Sequence, residues 1–252
     1  MVPNHPSVRA LLPVGTKQLR MHPDHLDTVL VAGATGGTGR AVLRLGQSRV
    51  DTVRALTRSP DAAADLKAAG ADDVVVEDLL DPDDLSAAVA GVDAVVSAVG
   101  TSPLAIQSGP PYVDGAGNRA LVAAAADADV EAFVMESAIG VGPDPSSPLA
   151  SVFDAFIEPL QEAKASAEAA LRDASLRHTI LRPGVLTNGS RTDVVTAADP
   201  GAELWGLISR ADVARLLLAA PVTPAVGDRT LEIVSTPQFP DRDASIEWTL
   251  PR

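Results

Sequence analysis

From Thr28 onward, short apolar runs alternate with stretches whose apolar residues recur at helical spacing. The runs at residues 28–32, 52–56, 73–76, 94–97, 132–135, 179–181 and 230–234 predict strands. Between them the spacing predicts helices over 40–47, 118–128, 160–174 and 213–220. Two more helices carry boundary signals. One has Ser59 to cap it, Pro60 at its first position and Gly70 at its end; the other runs from Asp81-Pro82-Asp83-Asp84 to Gly91, with acids at its positive pole. Ser209-Arg210-Ala211-Asp212 reads as a capping box before the last helix. Lys164, Glu168 and Arg172 stand four apart, which predicts a solvated, ion-paired helix face.

The first strand runs into Gly33-Ala34-Thr35-Gly36-Gly37-Thr38-Gly39-Arg40 and then into an amphipathic helix. Glycine at such a turn permits positive φ and lets the backbone approach a ligand closely. The free N–H groups and positive dipole end of the following helix suit a pyrophosphate. Repeated βα units predict a parallel sheet covered on both faces. With this turn in the first unit, the fold class is α/β: a doubly wound, Rossmann-type dinucleotide-binding domain with a small C-terminal substrate region. Ligands of that fold lie along the carboxyl ends of the strands. That rule nominates Gly33, Thr35, Gly36, Gly37, Thr38, Gly39 and Arg40, then Thr57 and Arg58, Asp78 and Leu79, Ala98, Val99 and Gly100, Ser137 and Ala138, and Pro183, Gly184, Val185 and Leu186.

The end of the second strand chooses between dinucleotides. An acid there would bind the ribose hydroxyls and repel a 2′-phosphate. This chain has Leu56-Thr57-Arg58-Ser59 instead. A guanidinium binds phosphate through paired, charge-assisted hydrogen bonds, and Thr57 and Ser59 add hydroxyls. The expected cofactor is NADP(H) in preference to NAD(H).

Composition narrows the remaining chemistry. The 252 residues are 46% hydrophobic but only 3% aromatic, so Ala, Val and Leu must build the core. The absence of Cys excludes disulfides, thiolate metal sites and Cys nucleophiles, and the four His residues make no metal-ligand spacing. No apolar run has the length of a membrane span, about 18 residues or more. A net charge of −13 argues against a nucleic-acid partner. Lys occurs only at Lys17, Lys67 and Lys164, and Arg supplies the other cations. Both a high-salt habitat and GC-rich codon usage suit that acidic, Arg-based composition. Residues 1–27, rich in Pro and His, lack the apolar region of a secretory signal. They are expected to be an extension outside the core, with Met21 a plausible initiator. Residues 28–252 then form one domain, with 184–252 supplying the substrate side, and the expected compartment is the cytoplasm.

The chain resembles the atypical short-chain dehydrogenase/reductases, in particular the NAD(P)-binding NmrA-like group. The resemblance spans about Thr28 to Val234. It rests on the Gly33-to-Arg40 turn, Asp78-Leu79, Ser97-Ala98-Val99-Gly100, Ser137, Thr179-Ile180-Leu181-Arg182-Pro183-Gly184, and Ser209-Arg210-Ala211-Asp212-Val213-Ala214. It implies that Asp78 and Leu79 border the adenine and that Ala98 to Gly100 line the ribose and pyrophosphate. It further implies that Pro183 to Leu186 lie under the nicotinamide and that Asn118 steadies the active-site backbone.

The wider superfamily uses Ser, Tyr and Lys, with Tyr and Lys four apart on one helix. The Tyr donates a proton; the Lys lowers its pKa and holds the nicotinamide ribose. Ser137 and Lys164 stand where the resemblance places the Ser and Lys, but Leu160 occupies the Tyr position. The single tyrosine, Tyr112, follows the fourth strand. Tyr112 or Asp114 is a candidate replacement donor; the alternative for Tyr112 is packing on Pro110 and Pro111. Lys164 is either a ribose contact or one charge of the surface series with Glu168. Glu136 faces either the cleft or solvent, and His178 reads as a surface turn residue. Phe153, Phe156 and Trp205 wall a pocket or fill the core. The expected function is NADP(H)-dependent hydride transfer to or from a small conjugated or carbonyl substrate without the usual Tyr. The alternative is a non-catalytic NADP(H)-binding redox sensor with a protein partner. The missing Tyr and short C-terminal part argue against a sugar-nucleotide epimerase or dehydratase.

Overall fold

Strand β1 (Thr28–Ala32) is buried on both faces from Val29 onward, as a continuous apolar run requires of a central parallel strand. It lies between β2 (Thr52–Thr57) and β4 (Ala94–Ser97) in an eight-stranded sheet. The computed structural model describes residues 25–102, 106–142, 150–201, 204–237 and 246–251, with only the backbone for 150–157. The other strands of this sheet are β3 (Asp73–Val76), β5 (Ala132–Glu136), β6 (Arg177–Pro183), β8 (Thr196–Ala198) and β10 (Arg229–Val234). The order is β3-β2-β1-β4-β5-β6-β10-β8, and every pair is parallel except β10 with β8. This is the doubly wound order, with its reversal between β1 and β4. A smaller sheet joins β7 (Val185–Thr187) to β9 (Gly206–Ser209) and β11 (Thr236–Pro237).

Strand alternation divides the core into two layers. Val29, Val31 and Val134 face α1 (Gly37–Gly46) and α6 (Arg210–Ala219), meeting Val42, Leu43, Leu216 and Leu217. Leu30, Val95 and Phe133 face α3 (Ser86–Val89), α4 (Asn118–Asp127) and α5 (Ala150–Asp173), meeting Leu121 and Leu171. Leu66 of α2 (Ala63–Ala68) joins the first layer. Val, Leu and Ala dominate both layers, and among the described residues Phe133 is the largest fully buried side chain. No described helix is long and apolar enough to cross a membrane.

Several expectations need correction. The first helix begins at Gly37 rather than Arg40, because the last residues of the glycine turn already have helical geometry. Residues Pro60–Ala62 form a 3₁₀ turn before α2, and Ser59 makes no side-chain cap. The acidic segment supplies only the four-residue α3; Asp84 accepts from Ser86 N–H at 2.7 Å and holds the chain outside the helix. Helix α5 begins ten residues before Leu160 and passes through Pro159. The domain also begins before Thr28. Leu26 is fully buried, and the amides of Asp27 and Thr28 donate to Asp93 at 2.7 and 2.9 Å. The extension was expected to lie outside the core up to residue 27; residues 1–24 lie outside the described residues. So do the side chains of Phe153 and Phe156, while Trp205 is half-buried.

The expected solvated face of α5 is a buried ion network instead. Glu168 is 1% exposed and accepts from Arg182 Nε at 3.0 Å and Nη2 at 2.6 Å, and from Arg172 at 2.6 Å. The pattern Lys164-Glu168-Arg172 has helical spacing, but β6 brings Arg182 against the same face. His178 belongs to that strand too and is buried, with Nδ1 at 3.2 Å from the Leu176 carbonyl, so it is no surface turn residue. Removing one partner of a buried pair leaves an uncompensated charge. Glu168→Ala is therefore expected to lower stability by about 3–5 kcal/mol. Arg172→Ala, at the exposed end, should cost about 1 kcal/mol or less. Urea unfolding of the two variants checks the ordering.

Candidate functional site

The sheet order reverses between β1 and β4, and the two loops leaving these strands come into contact there. Gly33 has φ +73°, and a Cβ on it would lie 2.2 Å from the Ala98 carbonyl oxygen. A Cβ on Gly39 would lie 2.3 Å from the Gly33 oxygen. Only glycine permits that conformation and that approach without displacing backbone. Gly36 N–H donates to the Gly33 carbonyl at 2.9 Å, and the helical ladder starts with Arg40 N–H to Gly36 at 2.9 Å. The first-turn amides of Gly37, Thr38 and Gly39 precede that ladder, at the positive end of the α1 dipole. Arg40 Nε donates to the Thr35 carbonyl at 3.2 Å and braces the turn. A diphosphate fits this donor set.

A cleft of about 400 Å³ opens from the turn along the strand ends. It gathers Gly33, Thr35 and Gly36 from the first loop, Thr57 and Arg58 from the second, and Asp78 and Leu79 from the third. Ala98, Val99 and Gly100 come from the fourth. Ser59, Glu77, Thr101, Ser102 and Val113 also line it; the resemblance had not named them. Thr57 Oγ1 accepts from Ser59 N–H at 3.2 Å, and Asp78 Oδ1 from Leu80 N–H at 2.9 Å, so both loops are held by their own polar side chains. Arg58 is exposed at the end of β2, with no acid in its place.

Other nominated residues lie outside this cleft. Gly37, Thr38, Gly39 and Arg40 form the first turn of α1. Pro183 ends β6, Gly184 N–H donates to Ile233 at 3.0 Å, and Val185 begins β7 with its side chain exposed. Ser137 follows β5, and its buried Oγ has no hydrogen-bond partner among the described residues. Tyr112 does line the cleft, but it is 7% exposed and its hydroxyl is directed at the Ile106 carbonyl at 3.5 Å. Its ring therefore serves as cleft wall, and its hydroxyl is turned to main chain.

Beside the cleft is a polar cluster that sequence reading gave only in fragments. Lys164 Nζ lies 2.5 Å from Asp114 Oδ1, which takes the lysine out of the supposed surface series. The other Asp114 oxygen accepts from Thr101 N–H at 2.6 Å and Thr101 Oγ1 at 2.5 Å. Asn118 donates to the Asp114 carbonyl at 2.9 Å and accepts from Ser97 Oγ at 2.5 Å, which ties this turn to the end of β4. Glu136 is buried at the end of β5 and accepts from Thr38 Oγ1 at 3.1 Å. It faces the protein interior, neither solvent nor the lined cleft. Arg210 packs across Gly37, where a Cβ would meet its Cδ at 2.7 Å, and donates to Asn188 Oδ1 at 2.8 Å. The capping box that starts α6 forms as expected: Ser209 Oγ accepts from Asp212 N–H at 3.0 Å. The Asp212 carboxylate accepts from Ser209 Oγ at 2.8 Å, from Thr192 Oγ1 and N–H, and from Asp193 N–H. Burial opposes its charge, but these hydrogen bonds prevail and hold its carboxyl below the usual carboxylate range.

Burial also pushes the Glu136 carboxyl up to about 7, against the opposing influence of Lys164, the Thr38 hydroxyl and Arg210. Asp114 adds to the upward push.

Fold order, glycine turn and strand-end cleft together define a dinucleotide-binding Rossmann protein. Residues 33–224 match the NAD(P)H-binding family, and the chain belongs to it. It is 32% identical over 193 residues to the uncharacterised sugar epimerase YhfK of Bacillus subtilis, covering 76% of this chain and 86% of that one. It is 27% identical over 258 residues to the sanguinarine reductase of Eschscholzia californica, covering 84% and 90%. Among solved structures, a putative NAD-dependent epimerase/dehydratase from Bacillus halodurans superposes with a TM-score of 0.74 at 28% identity, covering 83% of this chain and 94% of that one. The resemblance to atypical short-chain dehydrogenase/reductases thus holds at the level of fold and nucleotide binding.

The Glu136 proton has a consequence for stability. The folded state holds it up to about pH 7, whereas an unfolded carboxyl releases it near 4.5. Between these values the folded protein binds more protons, so the Glu136 contribution to stability falls as pH rises. Glu136→Gln should stabilise the protein relative to wild type by an amount that grows across this window to roughly 3 kcal/mol. Denaturant titrations at about pH 5 and about pH 8 measure the difference.

Proposed function

We propose that this protein is an NADP(H)-dependent reductase acting on a small conjugated or carbonyl substrate. The observation that carries the reading is the pairing of a diphosphate cradle with an exposed Arg58, in place of an acid, at the end of β2. The first-turn amides of α1 would hold the diphosphate and the guanidinium the 2′-phosphate, with Asp78 and Leu79 beside the adenine. Bound reduced nicotinamide supplies a hydride. The chain supplies position: Asn118 fixes the Asp114 turn, Asp114 fixes Lys164, and Asp212 fixes the segment before β8. The reductase relative supports this direction of reaction. Epimerase chemistry of the kind named for the Bacillus relative has less support, because Leu160 occupies the position of the usual proton-transferring Tyr.

That same Leu160 favours a second reading, a non-catalytic NADP(H) sensor that binds a protein partner in one cofactor state. NADPH oxidation with a panel of flavins, quinones and carbonyl compounds separates the two. Turnover above background supports the reductase; tight NADPH binding without turnover supports the sensor.

The cofactor preference has its own test. Charge-assisted contacts to a phosphate contribute about 1.5–3 kcal/mol, so Arg58→Ala should weaken NADPH roughly 10- to 100-fold. NADH affinity should change by less than about threefold, since it offers no 2′-phosphate. Fluorescence titration with both nucleotides provides the comparison, and equal losses would refute the assignment.

A further inference from the structure

The first turns of α1 and α6 meet at Gly37. Arg210 is the first residue of α6, and the Ser209 cap fixes where that helix begins. A Cβ on Gly37 would lie 2.7 Å from Arg210 Cδ, 2.9 Å from Nε and 3.7 Å from Cζ, and these are its three nearest atoms. Gly37 is helical and has no positive φ, so conformation alone does not call for glycine there. What a side chain at this position would displace is the arginine. A helical Cα–Cβ bond tilts toward the N-terminus of its helix. The guanidinium that takes up this space therefore stands on the ligand side of the α1 first turn.

The place is where the cleft gives out. The cleft gathers the loops after β1, β2, β3 and β4 and reaches Gly36 on the glycine turn. Gly37 comes next and is exposed, and Arg210 is half-buried. A dinucleotide with its adenosine in that cleft must carry its diphosphate over the first turn of α1 to reach the ends of β5 and β6. Arg210 borders that crossing. Its charge is also available. Nη1 donates to the neutral amide oxygen of Asn188 at 2.8 Å, which leaves most of the guanidinium donors for a ligand. Among the described residues no carboxylate lies within ion-pair distance of Arg210. Glu136 feels its field but is hydrogen-bonded to Thr38.

We propose that Arg210 is a cofactor-binding residue, whose guanidinium pairs with the diphosphate held by the α1 amides. The inference rests on the diphosphate cradle of the proposed function. Two arginines then divide the ligand. Arg58 meets the 2′-phosphate that only NADP(H) carries, and Arg210 meets the diphosphate common to both nucleotides. Gly37 is the small residue that lets the second guanidinium come close, and α6 delivers it from the far end of the sequence.

Calorimetric titration of the full chain with NADPH, NADH, ADP-ribose and 2′-AMP tests this, since the last of these has no diphosphate. Arg210→Gln keeps an amide donor for Asn188 and removes the charge. It should weaken NADPH, NADH and ADP-ribose alike, each roughly 10- to 100-fold, and leave 2′-AMP within about twofold of wild type. The affinity of wild type for ADP-ribose should also fall more steeply with added salt than that of the variant. Arg210→Ala, which removes the Asn188 contact as well, should show the same pattern. A loss confined to Arg210→Ala would overturn the proposal, because the tether to Asn188 and not the charge would then be its source. A loss shared by 2′-AMP would overturn it too, as the mark of a disturbed fold. Unchanged NADH and ADP-ribose affinities in both variants would overturn it and leave the cradle standing. Wild-type protein that binds none of the three diphosphate compounds would overturn the cradle itself, a separable result.

Discussion

The contact between Gly33 and the Ala98 carbonyl is the constraint on which the rest depends. It closes the point where the sheet reverses direction, and it sets how near the first loop can stand to the fourth. Gly39 repeats the constraint within the turn, where its Cα approaches the Gly33 oxygen. One set of glycines thus fixes the hand of the loop, the start of the helix and the floor of the cleft.

Around this cradle the polar groups fall into two classes. Those beyond β2 and β3 are held locally: Thr57 by Ser59, Asp78 by Leu80. The others are held across long sequence distances. Asp114 meets Lys164, Glu136 meets Thr38, and Asp212 meets Thr192 and Ser235. Long-range holding makes this cluster a product of the whole fold, so a charge there stays buried only while several elements remain docked.

This division also explains what was legible in the sequence. The fold was, because seven strands alternate with helices and the glycine turn heads the first unit. So was the lining of the cleft at Thr57, Arg58, Asp78, Leu79 and Ala98 to Gly100, because each follows on a strand end. The partner of Lys164 was not, since Asp114 lies fifty positions earlier in a turn of irregular helical geometry. Helical spacing pointed to Glu168 on the surface, and β6 overruled it by presenting Arg182. Glu136 gave a usable signal, an acid closing an otherwise apolar strand, yet its direction depends on which helix covers that strand end. The short strands β7, β8 and β9 are three or four residues long and lie among turn formers, too brief for a period to register.

Asp212 carries a separate implication for how this scaffold can change. A single carboxylate anchors Thr192 and Asp193 to the base of α6, while Asn188 Oδ1 accepts from Arg210. The stretch from Asn188 to Arg191 is therefore tethered at its far end by a fixed post and is otherwise solvent-facing. Variation in this stretch would leave the sheet and the glycine turn undisturbed, which makes it a natural place for an evolving or engineered lineage to absorb changes of sequence and length.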